Sequence, residues 1–236
     1  MLAFARPFAE SPASLALSVA GESVELFAAR ALHWPARRTL IVADLHWGKA
    51  ATFRAAQIPI PRGTTAADLG RLDTLLAATA ATRLLILGDL LHAELPAEAE
   101  ATAATLLTWR ATHRPLDMVL VRGNHDARAG ALLDDLGITV HEPPLAEGPF
   151  ILTHLPAPSG GGYNLAGHVH PSVELRGPAR ERLRLPCFRF GPSAGLLPAF
   201  GGFTGMAPAE PPAPGERVYA LAGDTIVPVP GPAAQA

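Results

Sequence analysis

The chain has 236 residues, 49% of them hydrophobic and 17% charged, with a formal net charge of −2. That length supports one α/β domain with a substantial core and is short for two, and the composition excludes a disordered or fibrous chain. The charge excludes a general electrostatic attraction to nucleic acid while leaving a local basic patch open. The single cysteine, Cys187, cannot form an internal disulfide; it fits a reducing compartment and reads as a small core residue. No run reaches the roughly 18 apolar residues of a membrane span. The N-terminus lacks the charged and apolar regions of a signal peptide, so a cytoplasmic protein is expected.

In chain order, residues 1–13 read as a loose lead-in, and residues 15–19 and 23–27 alternate around Ala20-Gly21-Glu22 as an antiparallel hairpin. An aliphatic strand over 40–43 ends at Asp44. After a loop with Pro59, Pro61 and Gly63, a helix opens at Thr64, with Leu69, Leu72, Leu75 and Leu76 at a 3.6-residue period. Strands over 84–87 and 118–121 enclose a second helix from Pro96 to about His113, and a third helix over 128–136 is stopped by Gly137. Strands alternating with helices predict parallel crossover units. Beyond 138 the helical pattern vanishes, and short, mostly antiparallel strands are expected around Phe150, Asn164, 184–190, 217–221 and 225–229. Residues 208–215 form a proline-rich surface connection, and the tail from Pro228 is expected to be flexible. There is no internal repeat and no second-domain boundary, so 1–236 is expected to be one domain with flexible ends at 1–13 and 229–236.

Where the aliphatic runs stop, polar motifs begin: Asp44-Leu45-His46, Gly88-Asp89, Gly123-Asn124-His125-Asp126, His154 and Gly167-His168-Val169-His170. Strands that end in ligands describe an α/β sheet converging on one site. The set holds carboxylate, amide and imidazole but no thiolate, which suits a pair of borderline or hard divalent metals. Two such metals can activate a bridging hydroxide and clamp the oxygens of a phosphoester. Asp89 is the expected bridge. Asp44, His46 and His170 complete the first metal, and Asn124, His154 and His168 the second. Alternate residues on a strand point the same way, which would let Asp44 converge with His46, and His168 with His170. The glycines at 88, 123 and 167 let the backbone turn without a Cβ in the way. His125 follows a ligand directly and points elsewhere, suited to stabilising the transition state or protonating the leaving oxygen. Asp126 is placed to orient that imidazole.

Each piece alone is weak; the ordered conjunction at strand ends carries the reading. Lys49, the only lysine beside eighteen arginines, is either a point charge for a substrate phosphate or a solvated lysine at a helix start. His92 either lines the rim or is a capping or surface histidine. Arg54 and Arg62 either contact phosphates flanking the scissile one or carry solvated charge. Arg122 reads as structural. The run Arg176, Arg180, Arg182, Arg184 and Arg189, diluted by Glu174 and Glu181, reads more readily as an exposed strand-and-turn face than as a track for nucleic acid. His33, His113 and His141 are expected at the surface, and Trp47 in core packing rather than in a pocket wall.

The motifs from 44 to 170 resemble the calcineurin-like metallophosphoesterase superfamily, whose pattern is D-x-H, G-D, G-N-H-D/E, H, G-H-x-H. The resemblance implies an α/β fold: two mixed β-sheets packed as a sandwich flanked by helices, a four-layer αββα arrangement. It also implies manganese, iron or zinc as the two metals. Trp34-Pro35, residues 43–50, Phe53-Arg54, 59–65 and 88–93 are similar to one bacterial branch, the ligase-associated DNA damage response endonucleases. That likeness implies a manganese-dependent phosphodiesterase acting in DNA repair on DNA, preferring single strands, with a repair helicase or ligase as a possible partner and no membrane. The substrate rests on the resemblance alone. A rival is a hydrolase of nucleotide or nucleotide-lipid pyrophosphates using the same metals; a binding-only scaffold is disfavoured because no ligand is missing.

Overall fold

In a computed structural model, residues 12–92, 100–128, 130–158, 160–177 and 181–232 are described. The chain opens on the expected hairpin of β1 (Ser14–Val19) and β2 (Glu22–Phe27). Val19 pairs with Glu22 across Ala20 and Gly21, whose φ of 50° and 84° give the two-residue turn that matches strand twist. β3 (Ala31–Trp34) and β4 (Thr39–Val42) extend this antiparallel run. From β4 onward the sheet is parallel through β5 (Arg83–Leu87), β6 (Asp117–Val121) and β7 (Thr139–His141). The crossovers carry α1 (Lys49–Ala55) and α2 (Thr64–Thr79), then α3 (Glu100–Thr112), then α4 (Gly130–Asp135).

A second sheet follows, with strand order β15-β14-β12-β13-β10-β9-β8. It comprises β8 (Leu145–Glu147), β9 (Phe150–Thr153), β10 (Tyr163–Ala166), β12 (Arg182–Phe190), β13 (Ala194–Leu196), β14 (Arg217–Ala222) and β15 (Thr225–Val229), with β11 (Ser172–Arg176) paired to β12. Strands β9, β10 and β13 are parallel and the remaining pairings antiparallel, so both sheets are mixed.

The central strands of the first sheet are unbroken aliphatic runs because both faces are covered. Leu40, Val42, Leu84, Ile86 and Leu120 pack with Leu72 of α2, Leu106 of α3 and Leu133 of α4. Ile41, Leu85, Leu87 and Val121 face the other way, onto Phe150, Leu152, Leu165 and Phe188 of the second sheet. The chain is thus a single-domain α/β sandwich of two mixed sheets. Its flanks differ. The helix-lined core lies against the first sheet, while Val173, Leu185, Cys187, Val218 and Ala220 form a separate cluster on the second. There Arg189, on the same strand face as Cys187, binds the Glu216 carboxylate and the carbonyl oxygens of Glu210 and Pro211, holding the expected proline-rich connection in place. Cys187 is fully buried, and burial pushes its thiol up to about 12.

Several expectations change. His33 is buried rather than at the surface, because β3 lies inside the sheet; its ring faces Glu25, the residue opposite it on β2. Pro228 and Val229 belong to β15, an edge strand, where proline is tolerated, so the flexible tail does not start there. Residues 126–128 form a 3-10 turn, and α4 starts at Gly130. β3, β7, β8, β11 and β13 were not anticipated, being too short or too close to a sheet edge to carry a pattern. The expected start of the second helix at Pro96 lies outside the described residues, as do 1–11 of the lead-in, Arg180 and the tail from 233.

Candidate metal centre

The strands stop short of the ligands. β4 ends at Val42 and β10 at Ala166, and the strand-alternation argument for pairing Asp44 with His46, and His168 with His170, does not apply. All four instead adopt left-handed backbone, with φ of 53°, 47°, 62° and 49°, and Asp89 does the same at 49°. Side chains with short polar groups tolerate this region better than others, at a cost near 1 kcal/mol each. The segment 44–47 stays in register beside 88–92 through Asp44 N–H to Gly88 O, His46 N–H to Asp89 O and Trp47 N–H to Leu90 O. Close approach explains the glycines. A Cβ on Gly88 would lie 2.2 Å from His154 Nδ1, one on Gly123 2.3 Å from Asp89 Oδ1, and one on Gly167 2.6 Å from Asp44 Oδ2.

All seven expected ligands meet at one end of the sandwich. Asp89 Oδ2 lies 3.7 Å from His46 Nε2 and 3.4 Å from His154 Nε2. Asp44 Oδ1 is 3.5 Å from His170 Nε2 and 3.7 Å from His154 Nδ1. His154 Nε2 is 2.9 Å from Asn124 Oδ1 and 3.0 Å from His168 Nδ1. Two of the imidazoles are oriented by backbone carbonyls: His154 Nδ1 by Leu87 O at 3.1 Å and His170 Nδ1 by Gly205 O at 3.1 Å. Each then presents Nε2 as a lone pair toward the carboxylates, the usual way a protein fixes a ligating tautomer.

This donor set fits divalent cations. Asp44, His46 and His170 form one group with ligand atoms within 4.8 Å of one another, and Asp89, His154 and His168 form another. Asp44 Oδ1 is buried with no hydrogen-bond partner, and His154 Nε2, His168 Nδ1, Asn124 Oδ1 and Asp89 Oδ2 crowd together as acceptors. Such a cluster is costly unless a cation sits among its members. Burial pushes the His46 imidazole down to about 3, helped by His170, Lys49 and His125 and opposed by Asp89. Burial would raise Asp89, but hydrogen bonds from His154 and the His125 N–H, with the charges of His154 and His46, bring it down to about 2. An ionised carboxylate and neutral imidazole are the ligating forms. Burial lowers His154, yet the hydrogen bond and charge of Asp89 outweigh it and the net shift is upward, which favours a proton on that ring; a cation held at Nε2 would take that proton's place.

The remaining candidates separate. His125, 38% exposed at its side chain, holds Nε2 4.0 Å from Asp89 Oδ2, open to a bound molecule. His92 stacks on it with centroids 5.2 Å apart, so His92 lines the site. Lys49 is the first residue of α1, half-buried, and its charge lowers both His46 and His92. Asp126 is not where the sequence suggested: among the described residues its hydrogen bonds come from the backbone N–H groups of Gly123, Asp89, Leu90 and Leu91, and none from the His125 ring. Fully buried, it clamps the two ligand loops together. Arg54 and Arg62 line a cavity of about 420 Å³ beside α1 and make no contact with the ligands among the described residues. Trp47 is in the helix-side core, and Arg122 pairs with Glu142. In the arginine run, Arg176 and Arg182 are exposed beside Glu174, whereas Arg189 is buried. Two contributors left no sequence signal: the Leu87 and Gly205 carbonyls, which any residue could supply. Asn164, buried in β10, binds Ile151 O and Thr153 Oγ1 through its amide and so braces the loop carrying His154.

A family model described as calcineurin-like phosphoesterase matches residues 37–169. The Pseudomonas putida nuclease MPE is similar in structure, with 44% identity, a TM-score of 0.79, and coverage of 92% of this chain and 100% of that one. The E. coli phosphoesterase Yfce gives 20% identity and a TM-score of 0.42 over 81% of this chain and 97% of its own, too little likeness to argue from. Among the curated proteins nothing matches. No helix among the described residues is long and apolar enough to cross a membrane.

Proposed function

Since the chain belongs to the calcineurin-like phosphoesterases and is a metal-dependent phosphoesterase, we propose that it is a two-metal phosphodiesterase that cleaves DNA within the strand, in the service of DNA repair. The observation that carries the two-metal reading is that one oxygen, Asp89 Oδ2, lies near an imidazole of each ligand group, His46 Nε2 at 3.7 Å and His154 Nε2 at 3.4 Å. Asp44, His46 and His170 would hold one metal and Asn124, His154 and His168 the other, with Asp89 shared; manganese is the metal proposed. Bound there, divalent cations supply neutralising charge for the phosphate and a more acidic water.

The chain's own groups do the rest. Asp89, ionised and held by the His125 N–H, fixes the spacing of the two ligand sets. His125, next to Asp89 yet partly open, delivers a proton to the leaving oxygen. His92, stacked against it, limits the ring to one orientation. Lys49 holds a phosphate oxygen, and Arg54 and Arg62 take phosphates farther along the strand. The likeness to a nuclease supports a nucleic-acid substrate. A repair helicase or ligase is the partner class proposed, and single-stranded DNA the preferred form.

The test is cleavage of a closed-circular single-stranded DNA with manganese by the wild type and Asp89→Ala, beside hydrolysis of bis-p-nitrophenyl phosphate. Both activities are expected in the wild type and neither in the variant. Hydrolysis of the small diester with the circle intact would reject DNA and turn the reading to nucleotides or pyrophosphates. Full activity in Asp89→Ala would reject the metal assignment.

A further inference from the structure

The chain has nine phenylalanines, seven of them among the described residues. Phe27, Phe150, Phe188, Phe190 and Phe200 are buried in the two main cores. Phe53 and Phe203 are not: both are half-buried, and neither belongs to any of the three core clusters. They meet edge to face with centroids 5.6 Å apart. Phe53 also lies 6.4 Å from the His92 ring, which stacks on His125. The two phenylalanines come from separate parts of the chain, one from α1, four residues after Lys49, and one from the segment whose Gly205 carbonyl orients His170. An aromatic ridge therefore runs outward from the candidate leaving-group side of the centre. Large apolar rings left part-exposed beside a polar site are poorly accounted for by packing, since burying them fully would be favourable.

We infer that Phe53, backed by Phe203, is a platform on which an unpaired nucleobase stacks while the adjacent phosphate occupies the metal centre. This rests on the nuclease reading and adds to it the feature that selects the strand. A base within a duplex already has both faces covered by its neighbours and none to offer; a base in a single strand can stack on a side chain whatever its identity. α1 sets the spacing. Lys49 and Phe53 are one helical turn apart, about 6 Å along the axis, close to one nucleotide of extended strand. Arg54, the next residue, lies about 100° farther round the helix, donates to Pro61 O and lines the separate cavity with Arg62, so Lys49 and Phe53 alone share the face toward the centre.

The experiment uses an end-labelled single-stranded oligonucleotide with one internal abasic site, cleaved in manganese and mapped bond by bond against the intact oligonucleotide. The wild type is expected to cut the bond beside the missing base about ten-fold less than the same bond in the intact strand. Phe53→Leu, which keeps apolar bulk against Phe203, is expected to cut the two equally, and Phe53→Trp to restore the discrimination. The ratio is internal to each protein, so a general loss of activity does not imitate the effect. A wild type indifferent to the missing base, or a Phe53→Leu variant that discriminates as the wild type does, overturns the inference while leaving the nuclease reading intact. A wild type that cuts no oligonucleotide overturns both.

Discussion

The two sheets serve the candidate metal centre by opposite means. The first supplies both carboxylates, and donors hold them: Asp44 Oδ2 takes the His168 N–H and Asp89 Oδ1 the His125 N–H, while buried Asp126 gathers four further backbone N–H groups beneath the loops. The second supplies imidazoles only. Acceptors hold these, Leu87 O for His154 and Gly205 O for His170. Several of the holding groups cross between sheets, so neither half is positioned alone. The two carboxylates are held by N–H groups, and the His154 and His170 imidazoles by carbonyls.

That contrast can be broken at the clamp first. Asp126→Ala strands four buried donors, each worth about 1–3 kcal/mol. With losses that do not simply add, destabilisation by about 4 kcal/mol is expected in urea unfolding, with metal affinity lost alongside. A change under about 1 kcal/mol would mean that the loops are fixed by something else. His125→Ala is expected to lower hydrolysis about a hundred-fold for a diester with a poor leaving group and far less for bis-p-nitrophenyl phosphate. Equal losses on both would remove the proton-donor role. On the second sheet, Asn164→Ala is expected to cost about 2 kcal/mol by the same unfolding measurement, less than Asp126→Ala because fewer groups are orphaned.

The smallest effect lies farthest away, where Arg189 meets Glu216. Burial would raise the Glu216 carboxyl, but the hydrogen bond from Arg189, that from the Ala213 N–H and the Arg189 charge hold it below the usual glutamate range. Its stabilising contribution is therefore present above the unfolded value of about 4.3 and disappears as pH falls through the lower folded value. Glu216→Gln is expected to flatten the loss of stability below about pH 4.5 in denaturant midpoints taken from pH 7 to pH 3. An unchanged slope would show that other carboxylates govern the acid limb.

The side chains that the structure brings together as candidate ligands were legible because chemistry demands particular residue types, and aliphatic runs mark where each begins. The means of convergence was not. Alternation along a strand is visible in sequence, but Asp44, His46, His168 and His170 converge through left-handed backbone that no residue type announces, since aspartate and histidine occur in every region. Asp126 was marked as important for a reason the structure replaces: the motif shows a carboxylate next to His125, and only the fold shows Asp89, Leu90 and Leu91 turning their N–H groups toward it. His33 was misplaced because sheet order decides its burial, and sheet order is a long-range property. Phe203 carried no motif at all; its neighbour Phe53 is 150 residues earlier in the chain.

The positive φ shared by Asp44, His46, Asp89, His168 and His170 also bears on how such a chain would change over generations. At every one of these positions glycine would relax the backbone while deleting a candidate ligand, so on the proposed function stability and hydrolysis pull in opposite directions there. A descendant released from catalysis would drift toward glycine or asparagine at these five sites before losing its cores, growing firmer as it fell silent.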